Sequence, residues 1–297
     1  MNPLDRGSSI GFVGAGTLGK TLAASFSRHG YSVKGSASRR IESAQSLADL
    51  VPGCVVFPCL NDLARACDVV FITTSDDSIP EVASSISWRS GQGAVHCSGA
   101  ASLDVFGPAG SQGAILGSFH PLQAFSSVEN GMESISGTTF GIEGGQVMRE
   151  FLQEVAHSIG GNPIFLRPED KAIYHLSGVM MGNLLTALGA TAGQLWEVLG
   201  MKREDGIRAL VPMMRQVSIN LEALGVPGAV AGPYARGDIG TVRKHLEALK
   251  ERAPHVLPLY CELALSAIPY ALEKGTIGTE IADRIRELIE RFKNIDR

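Results

Sequence analysis

The sequence predicts an α/β fold: a doubly wound, mostly parallel sheet followed by an all-α region. Three observations carry this expectation. Short apolar runs of β-type residues alternate with helical stretches through the first half. A glycine-rich turn follows the first of those runs directly. After about Arg167 the strand-like runs cease, and long helical patterns continue to the end.

The expected strands are Ser9–Val13, Ser32–Gly35, Val55–Phe57, Val69–Thr73, Ala94–Cys97, Ala114–Phe119, Thr138–Ile142 and Ile164–Leu166. Between them the pattern predicts helices over Leu18–His29, Ile41–Leu50, Leu63–Ala66, Ile79–Ser85 and Gln146–Ile159. Fewer helices separate the later strands, so part of that edge is expected to be antiparallel. At 297 residues, two domains are expected: residues 1–167 as a nucleotide-binding sheet domain, and 168–297 as a helical domain. In the helical part Gly200, Gly225–Gly228 and Gly237–Gly240 read as breaks. Pro212, Pro258 and Pro269 mark first turns or kinks.

Composition narrows the class. With 44% hydrophobic and 19% charged residues the chain reads as soluble and globular. A net charge of -4 without a polybasic run argues against a nucleic-acid surface. No run of about 18 apolar residues is free of charge and Pro, so no membrane span is expected. The N-terminal stretch lacks the plan of a signal peptide. The five cysteines form no C-x-x-C pair; reduced thiols and a cytoplasmic location follow. His and Cys show no ligand spacing, so no metal site is expected.

Gly14-Ala15-Gly16-Thr17-Leu18-Gly19 fits G-x-G-x-x-G after an apolar strand. The first glycine permits a tight turn, and the second lets a pyrophosphate approach the backbone. The third lets helix and strand pack closely, with the pyrophosphate at the helix N-terminus. That is the Rossmann pattern. Gly14 to Thr21 also reads G-x-x-x-x-G-K-T, a P-loop pattern that would set Lys20 on phosphates and Thr21 on magnesium. The dinucleotide reading is favoured. Ala23 completes its spacing, and the apolar run Val69–Ile72 passes through Thr73-Thr74-Ser75 before Asp76, instead of ending in a magnesium-binding Asp.

NAD-binding sites place an acidic residue about 20 residues beyond the glycines. Here the second strand runs into Ser36-Ala37-Ser38-Arg39-Arg40. A carboxylate would repel a 2′-phosphate, whereas hydroxyl and guanidinium groups hold one. NADP(H) is therefore expected, on Ser38, Arg39 and Arg40. The alternative is that Ser38 caps the next helix and the arginines are solvated. Thr74 and Ser75, after the fourth strand, are placed to reach the nicotinamide ribose or to cap the following helix.

Further segments carry a family resemblance: His96-Cys97-Ser98-Gly99, Ser118-Phe119-His120-Pro121-Leu122-Gln123-Ala124-Phe125, Tyr174-His175, Asn183, and Gly232-Pro233-Tyr234-Ala235-Arg236-Gly237-Asp238 with Thr241 and His245-Leu246. The chain resembles a family of two-domain Rossmann-like oxidoreductases, often labelled NADP oxidoreductases of the deazaflavin-dependent type, whose C-terminal domain has no settled function. The resemblance implies an NADP-binding domain followed by a helical domain, similar to ketopantoate reductase, 6-phosphogluconate dehydrogenase and pyrroline-5-carboxylate reductase. Ketopantoate reductases carry a Lys, and two helical turns later an Asn, on the first long helix of the second domain. His175 stands at the Lys position here and Asn183 at the Asn position. Lys171, one turn earlier, is the other candidate ammonium.

These readings assign His175 as general acid/base and Asn183 as a hydrogen bonder to substrate or nicotinamide. In a regular helix the two lie about 12 Å apart along the axis and about 80° around it. The alternative for His175 is a satisfied histidine at the domain interface. His120 at a strand end ranks second, with a turn-bonded structural role as its alternative, and His96 ranks third. Arg236 is expected to bind a substrate carboxylate, and Asp238 to orient it or cap a helix. His245 reads as a solvated face. Cys97 and Ser98 have no base–orienter partner and are not taken as nucleophiles. The expected function is NADP(H)-dependent reduction or oxidation of a small, carboxylated carbonyl or hydroxy metabolite, with ketopantoate the candidate by analogy. A non-catalytic NADP(H)-binding regulatory protein and a P-loop nucleotide-binding protein are the alternatives. Apolar surface in Val179–Leu199 and Leu257–Leu272 predicts a homodimer, as related architectures build from this part.

Overall fold

The central strand of the sheet is apolar at every position because both of its faces are covered. A computed structural model describes residues 4–294, in which β1 (Ser9–Val13), α1 (Thr17–Arg28), β2 (Ser32–Ala37), α2 (Ile41–Ala48), β3 (Val55–Val56), α3 (Leu60–Ala66) and β4 (Val69–Ile72) form the first half of the sheet. α4 (Ile79–Ser85), β5 (Gly93–His96), β6 (Ile115–Pro121), α5 (Val128–Ser134), β7 (Thr139–Gly144), α6 (Gln146–Ser158), β8 (Asn162–Phe165) and α7 (Lys171–Val179) follow. The strands lie in the order β3-β2-β1-β4-β5-β6-β7-β8. All neighbours are parallel except β6 and β7, which pair antiparallel, and β7–β8 is parallel again. The doubly wound sheet and its irregular edge are thus as the sequence predicts.

Val69-Val70-Phe71-Ile72 of β4 is buried at all four positions, the pattern of a strand covered on both faces. Alternate residues serve two cores. Phe71 stacks on Phe12 at 5.4 Å between ring centroids and meets Phe26 edge-on at 5.3 Å. Val13, Val70 and Ile72 pack on the opposite face with Leu63, Trp88 and Phe106.

Two elements of this half were not expected. α5 buries only Gly131, so it lacks the apolar stripe that would announce a helix. Ser127 caps it by accepting from Asn130 N. A 3₁₀ segment over Leu103–Ala109, capped by Ser102, buries Phe106 and Ala109.

The chain divides into two compact units, the first ending at Asn183 and the second beginning at Leu184. The sequence places the change of texture at Arg167. α7 lies beyond that point, yet Lys171 at its start bonds to Ser118 of β6 in the first unit.

A π-helical turn, Met180–Leu184, leads into the second unit. That unit contains α8 (Leu185–Glu197), α9 (Arg203–Gly228, its dihedrals interrupted at Gly225 and Val226), α10 (Pro233–Arg236), α11 (Ile239–Arg252), α12 (Leu257–Glu273) and α13 (Thr279–Lys293). α12 buries Leu257, Cys261, Ala264, Ile268 and Ala271, a strict helical stripe, against Leu246 of α11 and Ile285 and Ile289 of α13. Among the described residues the one stretch long and apolar enough to cross a membrane, Pro254–Glu273, contains this core helix. α8 and α9 behave differently. Each buries a single glycine, Gly193 and Gly206, and their other large apolar residues include exposed Leu188, Met213, Val217 and Leu224.

Phe71 is fully buried among three aromatic rings, so Phe71→Ala is expected to destabilise the fold by about 3–5 kcal/mol in urea unfolding. A loss below about 1 kcal/mol would show that the cavity collapses freely and that the ring cluster does not organise the sheet.

Candidate functional site

The turn between β1 and α1 separates glycines that the fold itself demands from one that it does not. Gly14 has φ +100°, and a side chain there would meet the Thr73 carbonyl group and Thr74 N at 2.8 Å. At Gly19 a Cβ would lie 2.4 Å from Gly14 O and 2.6 Å from Thr73 Oγ1. Thr73 Oγ1 in turn donates to Gly14 O at 2.6 Å, so turn, helix and β4 interlock. Gly16 is different. A Cβ there would meet nothing within 4 Å. Among the described residues nothing requires that glycine, so the space it leaves faces outward. Thr17 and Leu18 open α1 behind it, and the Gly16 cap supplies no side-chain hydrogen bond, leaving the first backbone N–H groups to face that space.

A cleft of about 790 Å³ opens over this turn. It is lined by Gly14 and Gly16, by Ser38, Arg39 and Arg40 beyond β2, and by Thr74 and Ser75 beyond β4. β1 lies between β2 and β4 in the sheet, so the cleft sits at the C-terminal ends of the strands, where the winding reverses. Arg39 and Arg40 are exposed and Ser38 is half-buried. The residue at the cap of α2 is Arg40 and not Ser38, which corrects the capping alternative. Ser75 caps the turn Asp76–Ser78, its hydroxyl 2.9 Å from that of Ser78. Thr74 Oγ1 is buried without a partner at the cleft wall.

The P-loop alternative does not survive these contacts. α1 already begins at Thr17, so Lys20 lies within a helix and donates to Ser46 Oγ at 2.8 Å. Thr21 is fully buried, with its Oγ1 against Gly131 of α5. Neither side chain is free to meet a phosphate or a magnesium ion.

Beyond the cleft, the loop after β4 leads into a second constellation. Asp76, next to Ser75, accepts from Ser98 Oγ at 2.6 Å. Ser98 N in turn donates to His96 Nδ1 at 3.1 Å. From α7, Lys171, Tyr174 and His175 come down on the same region at i, i+3 and i+4, one face of a helix. Lys171 Nζ donates to Ser118 Oγ at 2.7 Å and lies 3.2 Å from Glu143 Oε2. The Tyr174 hydroxyl is 3.2 Å from His120 Nδ1 and 3.3 Å from His120 O. The His120 and His175 rings meet edge-to-face at 5.7 Å. Gly99 makes room for both: a Cβ there would lie 2.6 Å from His175 Cδ2 and 2.7 Å from His120 Nε2. His96, Ser118, Glu143 and Lys171 are all buried.

Burial sets the charge of these groups. It lowers His96 to about 3, helped by the positive charge of Lys171. His120 falls to about 4, through burial first and then the positive charges of His175 and Lys171, with Asp76 pulling the other way. Both rings are therefore neutral at pH 7. Burial pushes the Tyr174 hydroxyl up to about 12, keeping it protonated. Burial also pulls Lys171 below its ordinary value, while the Glu143 carboxylate acts in the opposite direction. Cys97 is driven upward by burial, so it stays a thiol.

His175 and His120 are thus brought together. Asn183 is exposed on the π-helical turn. That turn interrupts the regular helix, so the spacing of about 12 Å and about 80° expected between His175 and Asn183 does not apply. Arg236 is exposed, in the second unit. Asp238 caps α11, accepting from Thr241 N at 3.0 Å and Thr241 Oγ1 at 2.6 Å. His245, likewise exposed, meets the Tyr260 hydroxyl at 2.9 Å. Sequence reasoning missed Tyr174, Glu143, Ser118 and Asp76 as members of the cluster. The K-x-x-Y-H spacing on one helix face was the available signal for Tyr174. Among the described residues no group of three or more His, Cys, Asp or Glu side chains is placed to hold a metal.

Sheet order, glycine turn and cleft together define a Rossmann-like domain. Residues 5–121 match the family of that description, and residues 138–267 match a domain of unknown function (DUF2520). None of the curated proteins compared matches the sequence. Similar solved structures include a Bacteroides fragilis protein provisionally described as an NADP oxidoreductase, with 23% identity and a TM-score of 0.72 over 89% of this chain and 99% of that one. A reductive aminase from Aspergillus terreus in complex with NADPH and ethyl levulinate has 15% identity and a TM-score of 0.61, over 96% and 93%. The pyrroline carboxylate reductase of Plasmodium falciparum with NADP bound has 13% identity and a TM-score of 0.60, over 91% and 98%. At these identities the likeness is one of fold.

His96 and His120 have folded-state pKa values below the ordinary 6.5, so the stability they contribute is present above pH 6.5 and is lost as pH falls toward about 3 and about 4 respectively. The unfolding free energy read from urea titrations is expected to drop across that window, by up to about 1.4 kcal/mol per pH unit for each histidine, and His120→Gln should flatten the slope. A slope that His120→Gln leaves unchanged would show that this ring is not held neutral by the fold.

Proposed function

We propose that the chain is an NADP(H)-dependent oxidoreductase that reduces or oxidises a small carbonyl or hydroxy metabolite. The observation that carries this reading is Gly16: a glycine that no atom of the described residues requires, in a cleft also lined by Ser38, Arg39 and Arg40. The residues fit the cofactor. The bare Gly16 backbone and the first N–H groups of α1 suit a pyrophosphate. Two guanidinium groups and a hydroxyl suit a 2′-phosphate, and Thr74 and Ser75 suit the nicotinamide ribose. NADP(H), when bound, supplies or accepts the hydride.

The chain's own residues then manage the proton. His175 would donate the proton that the oxyanion left by hydride addition requires. His120 supports that ring from one side and Gly99 leaves it room. In the oxidative direction His175 takes the proton back. Asn183 is proposed to orient the substrate; Arg236, in the second unit, is proposed as a carboxylate-binding group, next to the α11 cap that Asp238 forms. A 2-oxo acid such as ketopantoate is the proposed substrate class.

A homodimer in the cytoplasm completes the reading. Exposed Met213, Val217 and Leu224 on α9 and Leu188 on α8 support the dimer, and five free cysteines support the location. A second reading, a non-catalytic NADP(H)-binding regulatory protein, is favoured by one observation: Lys171 is buried and paired with Glu143.

Fluorescence titration is expected to show NADPH binding tighter than NADH, and Arg39→Ala to weaken NADPH by roughly 10- to 100-fold, the worth of a charged hydrogen bond. Equal affinity for NADH, unmoved by Arg39→Ala, would contradict the cofactor assignment. A screen of 2-oxo acids with the NADPH complex separates the enzyme from the regulator: turnover that His175→Ala abolishes supports the enzyme, and its absence across the series supports the regulator. Light scattering at micromolar concentration is expected to give twice the chain mass, and a monomer would contradict the dimer.

A further inference from the structure

The pairing register sets three polar side chains from three strands in one row beneath α7. His96 of β5 is paired with Ser118 of β6, and Ser118 with Glu143 of β7. Partners across a ladder share a face, so imidazole, hydroxyl and carboxylate point into the same layer. Lys171 closes the row from above, bonded to Ser118 and ion-paired with Glu143. It is 1% exposed and Glu143 4%. A substrate could reach this ammonium only by entering the core.

The same contact fixes the rotation of α7. Once Lys171 is anchored, Tyr174 and His175 at i+3 and i+4 must face the sheet as well. Tyr174 is seated against Gly141 of β7, where a Cβ would lie 2.8 Å from its ring, and His175 against Gly99.

We propose that Lys171 is a positioning residue and not the proton donor: its bond to Ser118 and ion pair with Glu143 set the rotation of α7 that brings His175 to His120 above Gly99. This rests on the reading of the site as an oxidoreductase centre, which assigns the donor role to His175. The buried charge has a second effect, on His120. The titratable groups around that ring are Lys171, Tyr174 and His175 of α7, His96 of β5, Asp76 of the loop after β4, and Glu143 of β7 through its pair with Lys171. Lys171 is among the charges that keep His120 neutral.

The test replaces the pair by neutral side chains of similar size, Lys171→Met with Glu143→Gln, which leaves no uncompensated buried charge. Histidine-labelled NMR titration, with His120 assigned by His120→Gln, reads the ring directly and needs no turnover. The His120 midpoint is expected to rise, because one of the positive charges that hold the ring neutral is gone. Turnover of the NADPH complex is expected to fall but to persist, with its acid limb shifted the same way. An unmoved midpoint overturns the proposal. So does complete loss of turnover in a folded variant that still binds NADPH, because Lys171 would then be the donor. A second measurement uses the wild-type chain and holds even if the double variant does not fold. Reductive methylation of the native protein, read by mass spectrometry, is expected to modify exposed Lys34 and Lys244 and to spare Lys171. Methylation of Lys171 in step with loss of activity overturns the proposal. If the wild type turns over no carbonyl compound, the functional reading fails by itself, while the His120 titration and the methylation pattern still decide the place of Lys171.

Discussion

An ammonium group taken out of water costs several kcal/mol unless a carboxylate and hydrogen-bond acceptors meet it. Lys171 is taken out of water almost entirely, and Glu143 and Ser118 meet it. That requirement ties the first helix after the sheet to β6 and β7. It leaves α7 a single rotation in which the ammonium is satisfied, and in that rotation Tyr174 lies over β6 and β7 and His175 over Gly99 beyond β5. The arrangement of the polar cluster follows from it. The order is one of constraint: the strand register aligns Ser118 with Glu143, the aligned pair captures Lys171, and the captured lysine aims the rest of the helix.

The glycine turn works by the same logic with the sign reversed, through side chains that are absent. Gly14 and Gly19 are glycines because β4 and Thr73 stand too close for anything larger. Gly16 is a glycine with empty space before it. The loop Thr73–Asp76 joins the two halves of the site. Thr73 locks the turn, Thr74 and Ser75 line the cleft, and Asp76 reaches Ser98 beside Gly99. One strand end thus connects the place where a phosphate fits to the place where protons can be managed.

The fold was legible because parallel strands covered on both faces must be apolar throughout, as Val69–Ile72 is, and because three glycines at this spacing directly after such a strand meet the steric demands of a dinucleotide-binding turn. α5 was not legible, since a helix that buries one glycine writes no periodic stripe. In the site, the glycines and the basic end of β2 could be read from their spacing, and His175 and His120 from resemblance and position. Glu143 and Ser118 could not. Their role depends on which residues the β6–β7 register sets side by side, and one strand's sequence does not carry its partner's register. Lys171 could be suspected but not placed, because a lysine at the head of a helix reads the same whether it faces solvent or a buried carboxylate. The π-helical turn at Met180–Leu184 was equally silent, and it altered the expected relation of Asn183 to His175.

In the proposed function the cleft over the glycine turn and the histidine cluster are two ends of one site. Histidine-labelled NMR with two ligands tests it directly. NADP⁺ spans both ends, whereas adenosine 2′,5′-bisphosphate carries the 2′-phosphate without a nicotinamide. NADP⁺ is expected to shift the ring signals of His120 and His175, while the bisphosphate competes with NADP⁺ but leaves those rings unmoved. Binding of NADP⁺ without any change at either histidine would contradict it and separate the cofactor cleft from the cluster.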